Sequence, residues 1–301
     1  MTSSLADRLL NPEHRLPLER LNEAWSAATI EAIIPGHAAL AGDLVLMTRI
    51  RGALGRVLMQ GASREALANK PCLWWPPCAL DILFREQARI EGRHGIPKPW
   101  VLALDRHGFD LLVRITLFGF AMEWAGAVSL ALATALQHKI DWRERARFHA
   151  IFLPEPVVSR VGIHAIERVP IPKRRNAVVL ALLTPLDTAG DDPLDRPASV
   201  IGRIARRVSL LSRWMNVEID ADWRKLSDHW NDLEFNTGSF HRLPLLPRKS
   251  GRERQDFRLG LIDGSLGIAG DLASIWPILA LGQLCHAGRG GTAGLGRYGL
   301  H

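Results

Sequence analysis

Apolar positions along the chain follow two periods, and the switches between them outline the fold. Residues 28–34 form a short apolar run closed by Pro35 and Gly36, which predicts a strand. From about 43 to 60 the spacing changes. Met47, Ile50, Leu54 and Val57 recur every three or four residues, so one helical face is apolar, while Arg49, Arg51 and Arg56 fall on neighbouring faces. A proline-rich passage, 71–77, precedes a short apolar run at 79–84 and a loop rich in Arg and Gly through Pro99. Residues 100–104 and 109–118 read as two strands around the turn Asp105-Arg106-His107-Gly108. A helix at 120–138 and an extended stretch at 147–161 complete the order strand, helix, strand, strand, helix, strand, which is the split βαβ or ferredoxin-like arrangement.

Lys173, Arg174 and Arg175 read as part of an exposed connector, beyond which the order is expected to repeat. Residues 176–184 predict a strand. Residues 199–215 predict a helix with Ile201, Ile204, Val208, Leu211 and Met215 inward and Arg203, Arg206, Arg207 and Arg213 elsewhere. Two further strands are expected at 235–246 and 257–268, joined by a basic tip, then a helix at 271–285 with Pro277 near its start, and a last strand at 297–300. The expected fold class is α+β, as two tandem ferredoxin-like domains: 1–170, and 176–301 with a C-terminal glycine-rich loop.

Composition narrows the function more than the fold. With 47% apolar and 23% charged residues the chain lacks the signature of disorder. The balance of 38 Lys+Arg against 31 Asp+Glu gives a net charge of +7, and only six of the 38 are lysine. The planar guanidinium fork matches phosphate oxygens and stacks on bases, so an arginine excess suits a nucleic-acid partner, although a GC-rich genome produces the same bias. Three cysteines, Cys72, Cys78 and Cys285, cannot staple a fold, and two close together are too few for zinc. No secretory signal opens the chain, so a cytoplasmic location is expected. The apolar stretch 118–137 is borderline for a membrane span, but Glu123, Ser129 and Thr134 favour a buried helix.

The sharpest motif is H-A-G-R-G-G-T-A-G-L-G-R-Y-G-L, residues 286–300. Gly288–Ala293 satisfies the letters of a dinucleotide fingerprint, but a helix precedes it where a strand is needed; no Lys-Ser or Lys-Thr follows for a P-loop. What remains is a loop with Gly288, Gly290, Gly291, Gly294 and Gly296, flanked by Arg289 and Arg297, whose bare backbone suits a phosphate chain.

Several stretches, in order, resemble CRISPR-associated endoribonucleases of the RAMP superfamily, which process precursor CRISPR RNA. R-I-R-G-A-L-G-R-V-L (49–58) resembles that family's first helix, and C-A-L-D-I-L-F-R-E (78–86) the passage after it. P-W-V-L-A-L-D (99–105) and R-I-T-L-F-G-F-A (114–121) resemble the middle of its first domain. L-A-L-L-T-P-L-D (180–187), R-I-A-R-R-V-S-L-L (203–211) and the whole passage 256–298 resemble its second. The resemblance implies two ferredoxin-like (RRM-like) domains, cleavage of repeat RNA without a metal or small-molecule cofactor, a glycine loop that grips the RNA backbone, retention of the repeat hairpin, and association with other CRISPR effector subunits.

The substrate dictates the chemistry. The RNA 2′-hydroxyl can attack its neighbouring phosphate, leaving a 2′,3′-cyclic phosphate. The protein must align it, take its proton, stabilise the phosphorane and protonate the leaving oxygen. His37, in the turn before the arginine-bearing helix, is the leading candidate base, because imidazole titrates near neutrality; family members often carry a base histidine near this helix. The stretch 49–58 itself holds none, so Arg51 and Arg56 are candidate charge-bearing catalysts. His286 is expected to cap a helix end. RNA-binding candidates are Arg49, Arg203, Arg206 and Arg207, the basic tip with Arg242, Arg248, Lys249, Arg252 and Arg254, and the glycine loop. Trp25, Trp124, Trp214 and Trp276 are expected in the core, whereas Trp74 and Trp75 between prolines have no assigned role. The rival function is an RNA-binding subunit of the same superfamily that cuts nothing; a remoter one is a structural or DNA-binding module.

Overall fold

A computed structural model describes residues 4–90, 94–142, 161–166, 176–188, 192–249 and 256–301. The chain begins with helix α1 (Leu5–Leu10) and strand β1 (His14–Pro17). Strand β2 (Ala27–Ile34) follows, then helix α2 (Leu44–Leu58), the short helix α3 (Ala79–Phe84), strands β3 (Trp100–His107) and β4 (Asp110–Phe118), helix α4 (Ala125–His138) and strand β5 (Val161–Ile166). The extended stretch expected at 147–161 lies outside the described residues except for Val161, where β5 starts.

The first sheet has the order β3-β4-β2-β5, with every pairing antiparallel. β2 is central because nearly all of its side chains are buried on one face or the other. Helices α2 and α4 pack on each other and against this sheet. α2 starts where Asp43 accepts the Leu46 N–H at 2.8 Å, an N-cap that fixes the helix phase. That phase buries Leu46, Met47, Ile50, Ala53, Leu54 and Leu58. The apolar stretch Gly119–His138 is long and apolar enough to cross a bilayer, but 44% of its most apolar window is buried, and Val128, Leu132 and Leu136 are covered by the fold.

The second half contains strands β6 (Ala177–Leu182) and β7 (Leu186–Asp187), helix α5 (Ala198–Ser212), strand β8 (Val217–Asp220) and helix α6 (Trp223–Asn231). Strands β9 (Glu234–Asn236), β10 (His241–Lys249), β11 (Asp256–Asp263) and β12 (Ser265–Ala269) follow, then helix α7 (Trp276–Cys285) and strand β13 (Tyr298–Leu300). Its main sheet is ordered β9-β12-β6-β13, again antiparallel throughout. In both sheets the spatial order of the four strands is second, third, first, fourth in chain order. α5 and α7 pack together, as α2 and α4 do.

One expectation needs correction. The runs at 235–246 and 257–268 are not two long strands of the main sheet: its strands there are the short β9 and β12, while β10 and β11 form a separate hairpin that pairs with β7. The apolar run at 79–84 is a helix, and α6 was not anticipated. The N-terminal residues also pack across the halves. β1 pairs parallel with β8, and the Arg213 guanidinium donates to the carbonyls of Leu9 and Leu10 at 3.0 and 2.8 Å. Tryptophans tie the halves further: Trp25 Nε1 donates to Ser212 Oγ at 2.9 Å and Trp214 Nε1 to the Pro97 carbonyl at 2.9 Å. Trp25, Trp214 and Trp276 are buried as expected, and Trp124 is half-buried.

Candidate nucleic-acid interface

The glycine-rich segment after α7 is a docked loop, built by hydrogen bonds to its own half. Ala287 N–H donates to the Gly296 carbonyl at 2.6 Å, and Gly296 N–H to the Pro185 carbonyl at 2.9 Å. Thr184 Oγ1 donates to the Gly294 carbonyl at 2.6 Å and accepts from Arg297 N–H at 2.9 Å. Ala287, Ala293 and Leu295 are buried, so the loop is part of the core.

Its short turn, Gly291–Ala293, packs against β3 and α2 of the first half. This explains the glycines more directly than ligand approach does. A Cβ on Gly291 would lie 2.7 Å from Arg207 Nη2 and 3.1 Å from Val101 Cγ1; one on Gly294 would lie 1.8 Å from Met47 Sδ; one on Gly296 would lie 2.1 Å from the Ala287 carbonyl oxygen. The solvent-facing part of the loop is the remaining corner at Gly288–Gly290. Arg289 is exposed there, and a Cβ on Gly288 would meet only ordinary contacts.

α2 meets the loop through Arg51, whose Nε donates to Thr292 Oγ1 at 3.2 Å while its guanidinium lies 5.6 Å from the Phe84 ring centre. Arg49 and Arg56 on the same helix are exposed. Its two glycines differ in kind. Gly55 is required by packing, because a Cβ would come 3.1 Å from the Phe84 ring, whereas Gly52 meets nothing closer than Arg56 Nη1 at 4.0 Å. Gly52 therefore leaves bare backbone between two arginines.

The expected phosphate ligands fare unequally. Arg297 is bound to Asp105 instead of facing solvent; Asp105 also accepts from Arg114 Nη1 at 2.9 Å, and Arg114 Nε donates to Glu31 at 2.8 Å. This chain of two arginines and two carboxylates joins the end of the loop to β2, β3 and β4. On α5, Arg206 alone of the three candidates is exposed. Arg203 Nη1 donates to the Asp187 carbonyl at 2.8 Å, and Arg207 is 7% exposed with Nε on the Cys285 carbonyl and Nη2 without a hydrogen-bond partner beside Gly291. Arg242 is exposed and bonded to Asp192 at 2.6 Å. Arg248 and Lys249 fall in β10, but their side chains, and Arg252 and Arg254 entirely, lie outside the described residues.

Neither histidine behaves as a surface group. His37 is 4% exposed, with Nδ1 2.6 Å from the Pro35 carbonyl and its ring edge-on to Trp142 at 5.1 Å. His286 does end α7, with Nδ1 3.2 Å from the Leu295 carbonyl, but it is not a charged cap. Burial, reinforced by the Arg207 and Arg297 charges, pushes its pKa down to about 3 and keeps the ring neutral. Among the described residues, no group of three His, Cys, Asp or Glu side chains is placed to hold a metal ion.

The turn pattern Asp105-Arg106-His107-Gly108 hides this ion-pair chain in the sequence. The available signal was register: once β2 and β4 are paired, Glu31 falls directly opposite Arg114.

Residues 180–298 match the family model of CRISPR-associated endoribonuclease Cas6, the family the sequence resembles. The span contains α5, the β10–β11 hairpin, α7 and the loop; the resembling stretches upstream of residue 180 lie outside it. No curated protein matches. Among solved structures, a Cas6 (TTHA0078) product complex is 15% identical with a TM-score of 0.49, covering 92% of this chain and 99% of that one. A Cas6 (TTHB231) product complex is 14% identical with a TM-score of 0.47, covering 91% and 100%. A Cas6-related protein from Pyrococcus furiosus is 12% identical with a TM-score of 0.44, covering 91% and 98%.

Proposed function

We propose that this chain is an endoribonuclease that cuts CRISPR repeat RNA. The observation that carries the proposal is the family match over residues 180–298, whose last element is the loop that docks on the arginine helix α2. The strand order repeated in the two sheets supports reading them as tandem ferredoxin-like domains, 1–170 and 176–301, except that residues 5–20 pack with the second. RNA runs along the seam between the halves, over Gly288–Gly290 with Arg289, across Gly52 with Arg49 and Arg56, and towards Arg206. The hairpin product stays bound, and the complex joins other effector subunits.

Cleavage proceeds by attack of the 2′-hydroxyl on the adjacent phosphate. The P–O bond to the 5′-oxygen breaks, a 2′,3′-cyclic phosphate forms, and the leaving oxygen takes a proton from solvent water. No metal is used. Arg56, exposed, and Arg51, held by Thr292, supply positive charge to the phosphorane. The 2′-hydroxyl proton goes to His37 when the cover provided by Trp142 opens and otherwise to solvent water, so charge stabilisation by the arginines carries the larger share.

Incubation with the cognate repeat RNA in EDTA tests this. Cleavage is expected, with single-turnover rates about 100-fold lower for Arg56→Ala and Arg51→Ala, and a smaller loss for His37→Ala. Tight binding without cleavage would support the second reading, a non-cutting RNA-binding subunit, which the burial of His37 favours.

A further inference from the structure

The proline-rich loop before α3 has no part in the seam described above. Its ends are tied down: Cys78 N–H donates to Cys72 Sγ at 3.4 Å, and Trp124 Nε1 donates to the Pro77 carbonyl at 2.8 Å. Pro71, Pro76 and Pro77 restrict the backbone between these ties. Yet the loop turns its apolar side chains to water, with Leu73 79% exposed, Trp74 53% and Trp75 73%. Trp25, Trp100 and Trp214 are each fully buried. Two neighbouring indoles left in solvent forgo the burial that the other tryptophans gain, which marks a surface built for a partner.

The surroundings indicate which partner. The loop leads directly into α3, whose Phe84 lies against Gly55 and beneath the Arg51 guanidinium. The tryptophans therefore project from the unit that packs on α2, a 15-residue helix with three arginines and no acid. Arg64 and Lys70, just before the loop, are exposed as well. Flat aromatic faces on a restrained backbone, with exposed cations close by in the chain, match the chemistry of unpaired nucleobases on a sugar-phosphate chain. Every base has a face to stack, whatever its sequence.

We propose that Trp74 and Trp75 form a stacking platform for unpaired nucleotides flanking the repeat hairpin. The proposal rests on the RNA-processing function above and extends its binding path beyond the seam.

The test uses the full chain and two fluorescently labelled strands of about 12 nucleotides, a length within the site sizes of single-strand binders. One is oligouridylate and the other an abasic ribose-phosphate strand of the same length. The wild type is expected to bind oligouridylate roughly 100-fold more tightly than the abasic strand. Trp74→Ala with Trp75→Ala should weaken oligouridylate binding by roughly tenfold for each ring, and leave abasic binding and the melting temperature unchanged. Trp74→Phe with Trp75→Phe should retain most of the affinity. If the double alanine variant binds oligouridylate as the wild type does, the patch serves a protein partner and the proposal is overturned. Equal binding of both strands by the wild type overturns stacking while the RNA function stands. Failure of the wild type to bind either strand or the repeat hairpin overturns both.

Discussion

Gly294→Ala is the most informative single change, because it strikes the contact on which the site depends. Gly294 has φ +81°, and an added Cβ would sit 1.8 Å from Met47 Sδ and 3.2 Å from its Cγ and Cε. Met47 is fully buried, so it cannot swing aside without disturbing its neighbours. Left-handed backbone costs an alanine about 1–2 kcal/mol, and overpacking a core costs about 1–3 kcal/mol. A total of about 3 kcal/mol would lower the melting temperature by roughly 5 °C for a chain of this size. Gly42→Ala separates the two contributions: Gly42 has φ +76° but nothing within 4 Å of its Cβ, so only the backbone cost applies. Calorimetry on the two variants should therefore show Gly294→Ala melting several degrees lower. Adding Met47→Ala to Gly294→Ala should recover part of the packing loss through the space it frees, giving a clearly non-additive cycle. If Gly294→Ala and Gly42→Ala melt together, the loop is not seated on α2 and the seam described here is wrong.

Three other predictions test separate parts of the account. Asp105→Ala removes the acid shared by Arg297 and Arg114, all partly buried, and should cost about 1–2 kcal/mol in urea unfolding, with loss of RNA cleavage as the loop end loosens; unchanged unfolding and cleavage would deny the ion-pair chain any role. His286 is held neutral with its pKa pushed down to about 3 from 6.5, so the unfolded chain binds a proton that the folded chain refuses. Stability from this source is complete above pH 6.5 and declines on acidification towards 3, by about 1.4 kcal/mol per pH unit; His286→Asn should flatten that slope, and an unaltered slope would contradict the assignment. Burial raises the Cys285 thiol to about 11 and also raises Cys78, whereas hydrogen bonds involving Ser63, Cys78 and Trp74 outweigh desolvation and lower Cys72, so a thiol reagent near pH ~8 should label Cys72 first and Cys285 last; rapid labelling of Cys285 would mean that the base of the loop opens.

The parts of the fold visible in the sequence were those with a clean local period. The spacing of Met47, Ile50 and Leu54 defines α2, because a single buried face imposes it, and the apolar run from the turn at Gly108 to Phe118 defines β4, which is buried on both faces. The β10–β11 hairpin was misjudged because an apolar alternation specifies a strand but not the sheet that receives it; β9 and β12 were hidden by being only three and five residues long. The arginines show the same limit. Arg203, Arg206 and Arg207 sit within one helical turn and a half, but only position in the fold assigns Arg203 to a carbonyl, Arg207 to the core and Arg206 to solvent. The glycine loop is legible as a motif, yet the reason for Gly291 and Gly294, contact with Val101, Arg207 and Met47 from elsewhere in the chain, depends on partners 84 to 247 positions away. His37 illustrates the converse: its place beside α2 was legible, but its burial under Trp142 was not.

The central claim is that the RNA supplies its own nucleophile. The direct measurement is single-turnover cleavage of the cognate repeat, in EDTA, with one 2′-deoxy nucleotide placed just before the scissile phosphate and the product ends identified by mass. The account predicts that the unmodified repeat gives a 2′,3′-cyclic phosphate and that the deoxy repeat is bound with the same affinity but left intact. Cleavage of the deoxy repeat at the same position would contradict it.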